Sequence, residues 1–292
     1  KITPAVMNAL KRCAPLAPLH NPANIIGIEA ITAALPSVPQ VGVFDTAFHQ
    51  TMPDYAFRYA VPEKYYKEDH VRRYGFHGTS HRFVSARCAE ILGRPIEELK
   101  IITCHLGNGS SLAAVDHGKV VDTSMGFTPL PGVVMGTRCG DVDPSVVTFI
   151  AQKEGAEKTD KILNKESGLL GVSGVSADLR DVEEGMNKGD VKCALAYKML
   201  TYSVKKYIGA YAAAMGGVDA IVFTAGIGEN SATTRQMVTE GLEFLGVKMD
   251  YSKNNFRGEE RVISASDSKV KVIVIPTNEE LVIARDTKKM AF

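Results

Sequence analysis

The chain has 292 residues, with 34 Lys and Arg against 33 Asp and Glu and a formal net charge of +1. That length predicts roughly two domains and a core large enough to need no covalent staples. Apolar residues at 45% and charged residues at 23% argue against disorder, the balanced charge argues against a nucleic-acid partner, and no run approaches the ~18 apolar residues of a membrane span.

The five cysteines, Cys13, Cys88, Cys104, Cys139 and Cys193, are odd in number, widely spaced and free of any C-x-x-C pair. They predict neither a disulfide framework nor a zinc site, and they favour a reducing cytoplasm.

The chain opens on Lys1 rather than Met, with no signal peptide after it. Residues 1–19 read as a chain entered midway through a helix, so an amino-terminal portion is expected before them. Asp45 follows, a lone carboxylate in the apolar setting Val43-Phe44-Asp45-Thr46-Ala47-Phe48-His49. Either it is buried and must be hydrogen-bonded or paired, or it caps a helix opening at Thr46; local sequence does not choose. His77-Gly78-Thr79-Ser80-His81 sets two histidines four apart, where they could share a helix face and ligate a metal. The Glu of H-E-x-x-H is missing and Gly78 weakens the helix, so a single functional histidine at a loop or helix start is the better reading.

Residues 100–105 predict a strand rich in β-branched side chains, running into a turn at 106–111. Residues 112–116 and 119–122 predict two more, joined at His117-Gly118 in a β-meander, so part of the sheet is antiparallel. Arg138 lies in Met135-Gly136-Thr137-Arg138-Cys139-Gly140, just before Asp141 and Asp143. Its rigid fork of donors suits a phosphate or carboxylate, unless it pairs locally with one of those two Asp residues. Cys193, Tyr197, Leu200, Val204, Tyr207, Tyr211 and Met215 recur at three- and four-residue steps and predict one long core-packing helix. Lys192, Lys198, Lys205 and Lys206 fall off that stripe and carry no chemistry here. Residues 219–224 predict a buried strand, 225–230 a turn, and Ser231 the N-cap of a helix. Residues 270–275 predict another strand closed by Pro276. Thr277 to Glu280 has the T-x-x-E form of a capping box, which leaves Glu279 free to hold a hydrated Mg²⁺. No repeat of 20–50 residues is visible, and the mixture of elements indicates an α/β or α+β chain.

Three glycine-rich turns follow strands: His105-Leu106-Gly107-Asn108-Gly109, residues 135–140, and Gly226-Ile227-Gly228-Glu229-Asn230. Glycine lets backbone N–H groups approach phosphate oxygens, although a plain hairpin or helix entry explains any one of them equally well. The third fails the dinucleotide fingerprint G-x-G-x-x-G/A because Ser231 stands last, and the Walker A pattern is absent. An NAD enzyme is therefore disfavoured. Together the features list the needs of phosphoryl transfer: backbone cradles, a cation clamp, a carboxylate for Mg²⁺, and a group that positions the acceptor.

The combination is more specific than its parts. The segments 43–49, Tyr74-Gly75-Phe76-His77-Gly78-Thr79-Ser80-His81, 105–111, Gly136-Thr137-Arg138-Cys139-Gly140-Asp141-Val142-Asp143-Pro144, 223–230 and Pro276-Thr277-Asn278-Glu279-Glu280 resemble, in order, the signature segments of the acetate kinase family. The resemblance runs from about Pro18 to about Arg285. It departs at the front, where the family's serine-rich phosphate loop with its Asn, and a substrate-binding Arg, have no counterpart here.

The resemblance implies an α/β, actin-like or ribonuclease H-like ATPase fold: two related domains with mixed sheets and flanking helices, the first incomplete. Residues 1–47 would be the remnant of an acyl-binding domain and 48–278 the nucleotide-binding domain, with 279–292 a helix packing back on the first. It implies reversible transfer from ATP to acetate, giving ADP and acetyl phosphate by a direct in-line route. Asp45, His77 and Arg138 would be catalytic. His105, Leu106, Gly107, Asn108, Gly109, Asp178, Leu179, Arg180, Gly226, Ile227, Gly228, Glu229 and Asn230 would bind the nucleotide. Leu19, Phe76 and Pro129 would wall the acyl methyl pocket, and Glu279 would hold Mg²⁺, with Mn²⁺ a second candidate. A homodimer in the cytoplasm, without nucleic-acid or membrane partners, is expected. A propionate or butyrate kinase, and an inactive fragment that only binds nucleotide, are the alternatives.

Overall fold

The computed structural model describes residues 1–14 and 21–292, so Leu19 lies outside the described residues. Helix α1 (Pro4–Cys13) begins where Thr3 Oγ1 accepts from the Val6 N–H and proline occupies the first turn. The opening residues are thus a capped helix start, not the middle of a helix, because proline suits a position whose N–H has no partner. Helix α2 (Asn21–Ala34) follows, then a 3₁₀ turn at Ala47–Thr51 and two short helices, α3 (Asp54–Phe57) and α4 (Glu63–Lys67). Helix α5 (Gly78–Leu92) leads into β1 (Lys100–Leu106), β2 (Ser110–Asp116) and β3 (Lys119–Thr123). The predicted meander is present.

Five helices then cross over: α6 (Pro144–Glu154), α7 (Ala156–Lys165), α8 (Gly168–Ser173), α9 (Leu179–Asn187) and α10 (Val191–Ala214). They are followed by β4 (Ala220–Thr224), α11 (Ala225–Asn230), α12 (Ala232–Thr239), β5 (Arg261–Val262), β6 (Lys271–Val274) and α13 (Glu279–Ala291). Among the described residues the strands form one sheet in the order β3-β2-β1-β4-β6-β5. The pairs β1–β4 and β4–β6 are parallel, and the pairs at both edges are antiparallel. The expected α/β class with a mixed sheet and flanking helices is what forms.

Both faces of the sheet are buried, which is why its central strands read as continuous apolar runs. The two-residue period divides them. Ile102, Cys104 and Leu106 of β1 join Ile221 and Phe223 of β4 under Val204, Ile208 and Tyr211 of α10. Ile101, Ala220, Val222 and Ile273 face the other way, against Val84 and Cys88 of α5. Helix α10 buries the predicted stripe except for Tyr207, which is half-buried because its hydroxyl reaches out to Asp141.

Two local readings change. Residues 225–230 are a helical turn rather than an open one: the Glu229 carboxylate folds back to accept from the Ala225 N–H at 2.8 Å, an internal cap. Asn278, not Thr277, caps α13 by accepting from the Leu281 N–H. Thr277 donates instead to Ser80 Oγ at 2.8 Å.

Arg235 of α12 is wholly buried. Its guanidinium donates to the carbonyls of Gly228, Glu229, Asn254 and Phe256 and to Asn254 Oδ1. It therefore ties α11 to the loop before β5. Arg235→Ala should lower the unfolding free energy by about 3–5 kcal/mol, because several buried carbonyls lose their donor at once. Urea melts read this directly, and a midpoint equal to the parent's would show that these bonds are not what holds the loop.

Candidate active site

The carboxyl ends of the parallel strands bring three of the sequence segments to one edge of the sheet, where open α/β folds place their crevice. His105, next to last in β1, is in register with Thr224 at the end of β4, and Thr277 follows β6. Glu229 Oε1 links these ends by accepting from Thr224 Oγ1, the Ala225 N–H and the Thr277 N–H. That carboxylate is engaged internally, so the 226–230 segment offers a ligand its backbone and the exposed Gly226 and Asn230. The side chains of Leu106 and Leu179 are buried in the core, and Ile227 packs against it, which leaves only their main chain for contact. Gly228 is buried beneath the turn.

Asp45 is exposed, contrary to the buried setting that its apolar neighbours suggested. It does not cap the 47–51 turn. Its Oδ2 accepts from the His77 N–H at 2.8 Å, and its carbonyl accepts from the Gly78 N–H at 2.9 Å. A Cβ at residue 78 would collide with that carbonyl, so glycine is required for the approach. His77 itself sits at φ +58°, turning its ring out of α5 and into the crevice.

The two histidines of the H-x-x-x-H pair part company there. His81 is fully buried between Thr103 Oγ1 and Ser111 Oγ, at 2.7 and 2.8 Å. His77 Nδ1 meets the same Ser111 hydroxyl at 2.8 Å. His105 stacks on His77 with ring centroids 4.1 Å apart. Desolvation pushes the His77 pKa down to about 4, against the opposing charge of Asp45, and pushes His105 down to about 3. His49 and His81 are lowered by burial as well. All four imidazoles are neutral near pH 7. Both His81 ring nitrogens are engaged by hydroxyls, so the pair does not offer two free nitrogens to one metal ion.

Arg138 lies on the loop that Gly136 presses against the first glycine turn. A Cβ at Gly136 would clash with the Asn108 side chain and stand 2.9 Å from the Ala177 carbonyl, beside Asp178. The Arg138 guanidinium donates to the Pro129 carbonyl at 3.2 Å and, among the described residues, pairs with no carboxylate. Its local candidates are occupied elsewhere: Asp141 takes the Gly132 N–H and the Tyr207 hydroxyl, and Asp143 caps α6. Burial pushes the guanidinium pKa down. A Cβ on Gly109 would lie 3.2 Å from Arg138 Nη1 and 3.7 Å from His77 Nε2, so the cation and the imidazole converge on that backbone turn. Gly107 and Asn108 complete it, with Gly107 facing Ala225.

Glu279 opens α13, half-buried. Desolvation raises its pKa, and the charges of Asp45 and Glu280 raise it further. Asp45 and Glu279 thus form a repelling pair of carboxylates, and neither has a cationic side chain as an ion-pair partner among the described residues. Phe76 is half-buried, with its carbonyl accepting from His49 Nε2, and Pro129 is held under Arg138. Asp178 caps α9 and pairs with the exposed Arg180, which holds its carboxyl down to about 2. A cavity of about 340 Å³, lined by Phe44, Phe48, Thr79, Arg82 and Asp286, adjoins this region but includes neither Arg138 nor a glycine-turn residue.

The structure therefore brings Asp45, His77, Arg138 and Gly109 together, with His105 and Glu279 beside them. Sequence reasoning overlooked Ser80, Ser111 and Arg235. The first two lie inside quoted motifs, where adjacency to a histidine was the available signal. Arg235 stands at an i+4 step from Ser231, where a helical charge reads as solvated.

Comparison with known proteins bears on the family and the fold. The acetokinase family model matches residues 1–285. The chain is 60% identical over 291 residues to an acetate kinase of Alkaliphilus metalliredigens, covering 99% of this chain and 74% of that protein. It is 62% identical over 290 residues to an acetate kinase of Thermotoga maritima, covering 98% and 72% respectively. The crystal structure of Porphyromonas gingivalis acetate kinase superposes with a TM-score of 0.96 at 55% identity, over 99% of this chain and 73% of that one. A propionate kinase from Francisella tularensis superposes at 0.92 with 44% identity, over 99% and 74%. Matched by that family model over residues 1–285 and about 60% identical to these acetate kinases along nearly its whole length, the chain belongs to the acetokinase family.

Proposed function

We infer that the protein is an ATP:acetate phosphotransferase, catalysing reversible formation of acetyl phosphate and ADP. The observation that carries this reading is Arg138: a half-buried guanidinium without a carboxylate partner, held beside the neutral His77 ring at the Gly109 turn. A cation left unneutralised in a crevice is suited to anions that arrive from outside.

The acceptor, a carboxylate with pKa near ~4, is already ionised at pH 7 and needs no strong base. The obstacle is repulsion between that anion and the γ-phosphoryl group. Arg138 offsets it and holds the equatorial oxygens, while His77 adds a hydrogen bond to them. Asp45 positions: it holds the His77 main chain and, with Glu279, presents two hard oxygen donors. That donor set fits Mg²⁺ or Mn²⁺ bound largely through water, since Mg²⁺ is commonly held by one or two carboxylates plus substrate phosphates. Such an ion would supply positive charge next to the phosphates. The 105–109 and 226–230 turns are assigned to the phosphates of ATP or ADP and 178–180 to the adenosine end. Phe76 and Pro129 are assigned to the acyl methyl. Transfer is direct, without a phospho-enzyme.

Residues 1–47, 48–278 and 279–292 are proposed as remnant, nucleotide and C-terminal units. A homodimer is supported by the exposed apolar stripe Val191, Leu195, Met199 and Tyr202 on α10. Among the described residues no helix is long and apolar enough to cross a membrane, and we place the protein in the cytoplasm on its free cysteines. The likeness to a propionate kinase favours one second reading. Each added methylene changes binding by only ~1–3 kcal/mol, so kcat/KM measured on acetate, propionate and butyrate should fall in that order, and a maximum at propionate would transfer the assignment. ATP binding by calorimetry with no acyl phosphate trapped by hydroxylamine would instead identify a nucleotide-binding fragment.

Arg138→Ala should lower kcat by ~10³-fold or more with a small change in the KM for ATP, because its bonds strengthen as charge spreads over the transferring group. Near-normal turnover would remove Arg138 from this role. Glu279→Gln should raise the Mg²⁺ concentration needed for half-maximal rate and leave the circular dichroism spectrum unchanged. An unaltered Mg²⁺ titration would count against the metal assignment.

A further inference from the structure

His77 and His105 are stacked within 16° of parallel, and each turns one nitrogen inward to a serine. His77 Nδ1 meets Ser111 Oγ and His105 Nδ1 meets Ser80 Oγ, both at 2.8 Å. The outer nitrogens, His77 Nε2 and His105 Nε2, have no partner among the described residues and are not sealed from solvent, and His77 Nε2 lies on the Gly109 side, where Arg138 converges. Which nitrogen carries the proton decides whether each ring offers the phosphoryl group a donor or a lone pair.

Counting hydrogens along the buried contacts answers this. Thr277 donates its hydroxyl hydrogen to Ser80 Oγ at 2.8 Å. Ser80 is fully buried, and the acceptor left for its own hydrogen is His105 Nδ1. His105 then carries its proton on Nε2. Ser111, also fully buried, lies 2.8 Å from both His77 Nδ1 and His81 Nε2. With one hydrogen, it must donate to one ring and accept from the other. The choice is set one step further in, where Thr103 Oγ1 lies 2.7 Å from His81 Nδ1 and 3.5 Å from the Ala113 carbonyl. If Thr103 donates to His81 Nδ1, then His81 Nε2–H donates to Ser111, Ser111 donates to His77 Nδ1, and every buried hydrogen has an acceptor within 2.8 Å. The reverse direction leaves the Thr103 hydrogen on the Ala113 carbonyl at 3.5 Å, much longer than an ordinary O–H···O bond. A buried donor so weakly satisfied is the costlier outcome. The inner nitrogens of the three rings all meet hydroxyls and none meets a carboxylate, the setting of neutral imidazoles that the counting requires.

We propose that Ser111, backed by His81 and Thr103, and Ser80, backed by Thr277, are positioning residues that hold His77 and His105 in the Nε2–H form, so that two parallel N–H donors face the transferring phosphoryl group. The inference rests on the acyl-phosphotransferase reading for what the donors face, but not for the direction of the bonds. His77 adds a donor without adding a second cation beside Arg138, and His105 extends the same edge toward the nucleotide.

The test is nitrogen NMR of the full chain labelled with ¹⁵N-histidine, at neutral pH and without ligand. Both rings should show a protonated Nε2 and a bare Nδ1; a proton on His77 Nδ1 overturns the proposal without any variant. Ser111→Ala should give His77 averaged nitrogen shifts and lower kcat about ten-fold, with the KM for ATP within about two-fold, as for a bond made in the transition state. Ser111→Thr, which keeps the hydroxyl, should restore both. Unchanged shifts and unchanged kcat in Ser111→Ala would refute the relay. Should that variant fail to fold, Thr103→Val removes the hydroxyl at the far end of the chain, and unchanged His77 shifts there refute it equally. Because the shifts need no turnover, a protein that makes no acyl phosphate sinks the function alone, and an active one with Nδ1–H at His77 sinks the relay alone.

Discussion

A guanidinium without a carboxylate is the interaction on which this site depends. Two anions cannot exchange a phosphoryl group unless positive charge is waiting between them, and a cation already paired inside the protein would have to be freed first. Arg138 is kept available by the occupation of its acidic neighbours. Asp141 is held by Tyr207 and the Gly132 N–H, and Asp143 by the first turn of α6. The fork is then aimed by a single carbonyl, that of Pro129. The arrangement costs desolvation, which pushes the guanidinium pKa down, and in the proposed transfer that cost is offset because nothing need rearrange as charge develops.

The rest of the scaffold makes the convergence possible. The parallel pairs β1–β4 and β4–β6 end at one edge, and Glu229 fastens the segments that leave them. Buried Arg235 then holds α11 from beneath. Both residues carry charge, and both use it on main-chain groups. The 226–230 segment, which we propose for the nucleotide, therefore has little beyond backbone to offer: its one acidic side chain is a structural clasp.

Much of this was legible in the sequence. The period-two split of β1 and the 3.6-residue stripe of α10 follow from which positions are apolar, and the meander from the turn at His117-Gly118. The signature segments named the fold and the residues that meet at Gly109. Legibility failed where a side chain reaches across local structure. Residues 225–230 have the glycines of an open turn, yet a carboxylate four positions along closes them into a helix. Asp45 sits among apolar residues, yet the segment lies at the surface, with Phe44 and Ala47 exposed as well, and its carboxylate accepts from the His77 N–H. Thr277 and Glu280 fit a capping box, but Asn278 stands directly before the helix and takes the cap, which releases Thr277 to reach Ser80. In each case the local pattern named a plausible partner and the tertiary fold supplied a better one.

The division between Arg138 and the histidines follows from the same electrostatics. If His77 were cationic beside Arg138, each charge would raise the cost of burying the other, and the ring would be poorly placed to stay desolvated against His105 and His81. A neutral imidazole avoids that cost while still offering one directed N–H, provided its proton sits on the outward nitrogen. Burial secures neutrality, and inward-facing hydroxyls secure the direction. The crevice can then supply full charge from one residue and oriented dipoles from its neighbours. A second arginine in place of the imidazole would add attraction for the incoming anions but would weaken the desolvation that makes Arg138 effective.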